Sequence, residues 1–284
     1  MISATTHDAI VLKSQEQNRQ SNPLLEKNID RKIQVIDEVC HQALLGNLPM
    51  FIPKVPARDV KVVAMSHMPD KPGLSTLAGQ ARLLHDLASI ELQAMELGFR
   101  TLVEFWAVSP PEFQEQLVEI IRDEARHLSL CLQSLKGLGF RWGDWPTHLA
   151  LWSCVSKDDT LIQRIMIVHR YLEGSGLDAG DKILRRLTGS LGSSGTRDIV
   201  KTISDEEVGH VLFGSRWFVE LCRRSRKDPD REFEAITNQV FPRLPRRLEK
   251  LNKGLRKAAG FSDGEINTLL DVQSRQRKKG SRNE

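Results

Sequence analysis

The chain has 284 residues, of which 40% are hydrophobic and 27% charged, with a formal net charge of +4. That length is long for one domain, and the apolar content is ordinary for a globular protein with a sizeable core. No apolar run approaches the roughly 20 residues needed to span a bilayer, and residues 1–11 lack the basic start and apolar stretch of a signal peptide, so no membrane partner and a cytoplasmic location are expected.

Charge is unevenly spread. Residues 241–284 carry 12 Lys or Arg against 5 Asp or Glu, a net of +7, which leaves 4 − 7 = −3 for residues 1–240. Such a basic segment could meet RNA or a phosphate-bearing substrate, although a solvated helix face with a frayed tail accounts for it more simply. Cys40, Cys131, Cys154 and Cys222 are scattered with no Cys-x-x-Cys pair. They read as single buried or half-buried thiols of a reducing compartment.

In chain order, residues 24–45 read as an amphipathic helix, with Ile29, Ile33, Ile36 and Val39 near one face. Residues 47–73 hold Pro49, Pro53, Pro56, Pro69 and Pro72 and read as an extended connector. Four long helices are predicted next. The first covers 76–106. The second opens at Ser109-Pro110-Pro111-Glu112, with Ser109 as N-cap and Pro110 at the first helical position, and runs to 136, where Gly137 and Gly139 stop it. A connection over 137–157 follows. The third helix covers 159–187, residues 189–195 break the chain, and the fourth covers 196–223. Three shorter helices are predicted after Pro229, the last opening at the capping box Ser262-Asp263-Gly264-Glu265. Residues 276–284 read as a basic, disordered tail.

Two helical hairpins joined by one long connection are the plan of a ferritin-like four-helix bundle. The expected class is therefore all-α, with additional N- and C-terminal helices. Residues 1–75 would form an N-terminal helix and Pro-rich connector, 76–225 the bundle, and 226–284 a C-terminal extension.

Two Glu-x-x-His motifs carry the chemistry, Glu124-Ala125-Arg126-His127 and Glu207-Val208-Gly209-His210. Residues three apart share a helix face, so each motif offers a carboxylate and an imidazole to one point. One such motif is a weak signal by itself. Here each follows a helix with a mid-helix Glu in apolar surroundings, Glu91 and Glu173. The spacings repeat: 124 − 91 = 33 and 207 − 173 = 34. A Glu from two helices and Glu-x-x-His from the other two is the di-metal carboxylate pattern. Four carboxylates converging in a core would repel, and each would cost several kcal/mol to desolvate unpaired. Two divalent cations cancel that charge. Oxygen and imidazole donors without thiolate suit two iron ions, Fe2+/Fe3+, or manganese or a mixed Mn/Fe pair.

The segments LLHDLASIELQAMEL (83–97), RDEARHLSL (122–130), HRYLEGSGLDAG (169–180) and DEEVGHVLFG (205–214) resemble a family of ferritin-like proteins called domain of unknown function 455. The resemblance covers most of the chain. More distantly the chain is similar to the di-iron tRNA hydroxylase of 2-methylthio-isopentenyladenosine. The resemblance implies the fold and the ligands and no substrate.

His169, four residues before Glu173, shares its face and could be an extra ligand, a supporting partner or a proton carrier of a catalytic step. Equally, it could be a helix histidine bonded to a neighbouring carboxylate. Tyr171 should point away. Gly174 and Gly176 either leave room for substrate, permit a bulge or allow close packing. His85 and Glu96 lie off the Glu91 face, and His7, His41, His67 and His148 read as ordinary polar residues. Asp123, Asp178 and Asp205 are candidates to support the ligating histidines.

The expected function is an O2-dependent di-iron oxidoreductase acting on a small organic molecule with an external electron donor. A ferroxidase and a tRNA-modifying hydroxylase are the alternatives. In the tRNA reading Arg243, Arg246, Arg247, Lys250, Lys253, Arg256 and Lys257 would contact phosphates. A second copy of the chain is a further expected partner.

Overall fold

The computed structural model describes residues 22–48, 51–188, 194–245 and 249–280. They form an all-α bundle. The described residues contain no strand, only an isolated parallel bridge between Val62 and Thr147. None of their helices is long and apolar enough to cross a membrane.

Helix α1, Ile29–Leu44, starts later than its periodicity predicts because Asn28 caps it, accepting from Arg31 N–H at 2.9 Å. Helix α2, Leu77–Phe105, is capped by Thr76, whose Oγ1 accepts from Gly79 N–H at 3.0 Å. Helix α3, Pro111–Gly137, differs from expectation at its start. Pro110, not Ser109, is the N-cap, and its side chain makes no cap bond. A residue before proline is pushed out of the α region. Pro110 precedes Pro111 and is extended at ψ 152°, so the helix cannot begin before Pro111. Ser109 serves the corner instead, since Gln114 Nε2 donates to its carbonyl at 3.1 Å and to the Trp106 carbonyl at 2.9 Å.

Helix α4 is a continuous rod in three parts: Leu161–Ile165, a wide-turned segment Met166–Leu172, and Glu173–Leu187. Thr160 and Gln163 close its N-terminus as a capping box. In the middle segment the ladder slips to i→i−5, as shown by Glu173 N–H donating to the Val168 carbonyl. Helix α5, Ser194–Arg224, follows. The break predicted at 189–195 lies outside the described residues except for Ser194 and Gly195, which already belong to α5.

Helices α2 and α3 pack as one hairpin, α4 and α5 as the other, and α3 lies against α5. One continuous core runs through both, with Leu92, Phe99, Phe113, Leu128, Ile165, Val211 and Phe218 among its buried members. Helices α6 (Pro229–Val240), α7 (Lys253–Ala258) and α8 (Asp263–Gly280) pack at the α4–α5 side. The capping box at Ser262 and Glu265 forms as expected, with reciprocal bonds of 3.0 and 2.9 Å. The tail predicted to be disordered from 276 is helical to Gly280, and Gln276 is buried against the Pro245 carbonyl at 3.1 Å. Residues 281–284 lie outside the described residues.

Buried ion pairs fasten the extensions to the bundle. Glu96 on α2 takes Lys32 of α1 and Arg58 of the connector. Arg170 on α4 is fully buried, forms a two-pronged pair with Glu265 of α8 and lies over the rings of Phe218, Phe233 and Phe261. Arg256 is equally buried. It bonds Asp178 at 2.7 Å and the Arg170 carbonyl at 3.1 Å. This corrects the view of Arg256 as a phosphate contact, because a guanidinium spent inside the protein cannot meet RNA. Arg243 pairs with Asp159 at 2.7 Å and Lys257 with Asp263 at 2.8 Å, whereas Lys250 and Lys253 are exposed. Arg246 and Arg247 lie outside the described residues. All four cysteines are free and buried.

Candidate metal centre

The repeat spacing places Glu91, Glu124 and Glu207 at mid-helix on α2, α3 and α5, and His127 and His210 one turn after the latter two. Donor atoms of Glu91, Glu124, His127 and Glu207 all fall within 4.8 Å of one another, and all four residues are buried. His127 Nδ1 faces this group. It lies 3.7 Å from each of Glu91 Oε2, Glu124 Oε2 and Glu207 Oε1. That is too far for hydrogen bonds. It is close enough for two donors to share one ion bound at about 2.1 Å. His210 Nδ1 sits 3.1 Å from Glu124 Oε1 and 3.5 Å from Glu207 Oε1.

Glu173 and His210 therefore extend a four-residue cluster rather than belong to its tightest part. Glu173 shares a cavity wall with Glu91, Glu124 and Glu207. One oxygen, Oε1, bonds His169 Nδ1 at 2.7 Å, and Oε2 is buried with no partner. Glu124 Oε2 and His127 Nδ1 are likewise buried and unpartnered. Orphaned donors and acceptors in a dry core cost a few kcal/mol each. Their convergence is the strongest indication that a cation completes the set, and the oxygen and imidazole donors fit iron or manganese.

Electrostatics agree. Burial, and then the neighbouring carboxylates, push the Glu91 carboxyl well above its usual range. Burial and the charge of Glu124 raise Glu207 to about 7. Burial works to lower His127, but Glu124 and Glu91 outweigh it and push the imidazole up to about 11. His210 is raised in the same way, with Asp123, Glu124 and Glu207 outweighing its burial. Burial would also raise Glu124, but the His127 and His210 imidazoles that face it outweigh burial and hold the carboxyl low. Without metal, protons thus do the charge-cancelling that cations would do.

Each histidine is supported from the opposite hairpin. His127 Nε2 meets Glu206 Oε2 at 2.6 Å, and His210 Nε2 meets Asp123 Oδ2 at 3.4 Å. Of the three supports considered, Asp123 takes the role. Its carboxyl is held down to about 2, first by the His210 bond. Asp178 is committed to Arg256 and to the Asn252 N–H, and Asp205 pairs with Lys201 on the surface. Glu206 escaped the sequence reading. The signal was there, because Glu206 precedes Glu207 as Asp123 precedes Glu124, so both repeats read acid-Glu-x-x-His. Cys131 is the buried single thiol expected. It lies one turn beyond His127, fully buried, where burial and the Glu91 charge raise its thiol.

His169 is buried, holds Glu173, and has its ring edge-on to Phe213 at 5.1 Å. It does not line the cavity, which makes it a positioning residue for Glu173. The α5 backbone passes so close that a Cβ at Gly214 would stand 2.5 Å from His169 Cβ. Tyr171 points away, its hydroxyl donating to the Pro245 carbonyl at 3.1 Å. Gly174 answers to close packing, since a Cβ there would meet Arg256 Nη1 at 2.0 Å, whereas a Cβ at Gly176 would meet open space. His85 is buried between Trp142 and Trp145, accepts from Gly143 N–H, and is lowered to about 4 by burial. It and Glu96 stand apart from the Glu91–Glu124–His127–Glu207 cluster. His7 lies outside the described residues. His41 and His67 are exposed, and burial lowers His148 in the 138–160 connection.

The family description "Protein of unknown function (DUF455)" matches residues 25–267. The chain belongs to the DUF455 family. A relative from Haemophilus influenzae, named "Uncharacterized protein", is 28% identical over 219 residues, 75% of each chain. No solved structure matches this DUF455 chain.

Proposed function

We propose that this DUF455 protein is a ferritin-like di-iron oxidoreductase that uses O2 to oxidise an organic molecule held beside the carboxylates. One observation carries the reading: the four carboxylates of the set, Glu91, Glu124, Glu173 and Glu207, line a cavity of about 580 Å³, within the size range of small-molecule sites. An iron-handling protein without organic substrate has no need of such a cavity.

Glu91, Glu124, His127 and Glu207 would hold the metals at the tight end of the set, with His210 and Glu173 completing it. Bound iron would supply one-electron and O2 chemistry that side chains lack. The chain's own part is positional. Glu206 and Asp123 fix the ring orientation of His127 and His210. With His127 Nε2–H donating to Glu206, the ring turns Nδ1 toward the carboxylates, where it would serve a metal. His169 fixes one oxygen of Glu173 and leaves the other for metal or for a proton. Ile90, Leu172 and Ile203 give the cavity beside the carboxylates an apolar wall.

Metal analysis of the protein as isolated, followed by anaerobic Fe(II) loading and exposure to O2, tests the reading. About two irons per chain, O2 uptake above that of free iron and a new visible absorption band are expected. Loss of all three in Glu124→Ala would tie them to this site. Failure of the unaltered protein to retain iron, manganese or both would end the proposal.

A further inference from the structure

The cavity has a chemical gradient that says what it takes. Beside the carboxylates its walls are apolar, with Ile90 from α2, Leu172 from α4 and Ile203 from α5, and Leu87, Val200 and Ile183 continue that wall toward the far end. At the other end stand Lys71, Arg82, Asp86 and Arg186. The bond from Thr196 to Gln80 at 3.2 Å brings the starts of α5 and α2 together at this end. Arg82 is only 1% exposed. Its Nε is held by Asp86 Oδ1 at 2.9 Å, while Nη1 and Nη2 are buried with no hydrogen-bond partner. Lys71 also pairs with Asp86, at 2.8 Å. Lys71, Arg82 and Arg186 against Asp86 and Glu249, which also lines this end, leave 3 − 2 = +1. Unused guanidinium donors in a dry wall are costly until an anion takes them.

We propose that the cavity binds an elongated, mainly apolar carboxylate, with its head on Arg82 and its chain running toward Glu91. The inference rests on the oxidoreductase reading for what then happens to the chain, but not for the binding itself. Arg82 and Glu91 are nine residues apart on one helix, which is about 13 Å at 1.5 Å per residue. The carbon presented to the metal ligands is then one far from the carboxyl group, so the head selects and the tail reacts. Gly176, with open space where a side chain would go, is the gap through which the chain passes α4.

Dodecanoic acid and 1-dodecanol, equal in length and differing in charge, test this by calorimetric titration of the protein as isolated. Metal content is measured on the same samples. Dodecanoate should bind at least about tenfold more tightly than the alcohol, the worth of charge-assisted hydrogen bonds. Arg82→Met should reduce that preference to about threefold or less. Gly176→Leu should weaken both ligands by about tenfold and leave metal content unchanged, because the new side chain fills the cavity. Equal binding of acid and alcohol, or an undiminished preference in Arg82→Met, overturns the head-group assignment. Full-strength binding in Gly176→Leu overturns the placement, and no binding of either ligand overturns the proposal. Should Arg82→Met fail to fold, the ratio in the unaltered protein and the Gly176→Leu result decide. A protein that binds dodecanoate yet retains no metal would sink the oxidoreductase reading alone.

Discussion

Replacing Glu206 with alanine should loosen the metal without touching a ligand. Glu206 Oε2 lies 2.6 Å from His127 Nε2, and its side chain is 36% exposed. Loss of such a support typically lowers metal affinity by about 10–100-fold. Water can reach the vacated position at this exposure, which puts the expected loss at the low end, about tenfold or 1.4 kcal/mol. Asp123 offers an internal comparison. Its contact to His210 is 3.4 Å, at the edge of hydrogen bonding, and it is 42% exposed. Asp123→Ala should therefore cost about threefold or less. The assay is competition for Fe(II), or for Mn(II), against a chromophoric chelator at neutral pH. Equal affinities for Glu206→Ala and the unaltered protein would refute the role given to Glu206. A larger loss in Asp123→Ala would refute the ranking by distance.

Glu207→Gln should stabilise the metal-free protein. The carboxyl ionises at about 7 in the fold against an ordinary 4.5, so stability falls as pH rises from 4.5 to 7 and stays low above. The amide removes that loss, offset in part by the weakened His210 contact, for a net gain of roughly 1–2 kcal/mol. Melting in chelator at pH 8 should therefore rise by a few degrees, and added Fe(II) should reverse the order; a lower melting temperature in chelator would contradict the charge account. Glu265→Ala should cost about 3–5 kcal/mol by leaving Arg170 charged, buried and unpaired, read as a lower urea midpoint with earlier proteolysis in 229–280; an unchanged midpoint would deny the pair its fastening role. Gly176→Ala should stabilise by up to about 1 kcal/mol through helix propensity. Gly214→Ala should destabilise by about 1–3 kcal/mol through its clash with His169, and denaturant melts that rank the two the other way would refute this steric reading.

What was legible in the sequence was what depends on spacing. The repeat of Glu and Glu-x-x-His predicted which helices meet and which faces they turn inward, and Glu91, Glu124, His127 and Glu207 do converge. The cap read at Ser262 follows the same local logic, whereas the one read at Ser109 failed because Pro110 stands before a second proline and is held extended. Pairings across the fold left no local trace. Arg170 and Arg256 look like surface cations until Glu265 and Asp178 arrive from distant segments to neutralise them. The slipped ladder at Met166–Leu172 has neither Gly nor Pro to announce it, because a wide turn is selected by packing and not by the propensity of its own residues.

That wide turn also breaks a symmetry. Each turn closed by an i→i−5 bond takes in one residue more than an α turn, and one residue is about 100° of helix rotation. Everything after Val168 on α4 is swung round by that angle relative to an unbroken helix. The twin hairpins share a ligand pattern, yet only the second carries this slip, so their contributions to the centre are unlike. Glu173 comes to the cavity with one oxygen tied and one unclaimed, and Gly176 follows it one turn later facing open space. Two hairpins with one repeated spacing thus present unlike faces to the same cluster, and deletion of one residue between 166 and 172 would turn Glu173 and Gly176 by about 100° from their present positions.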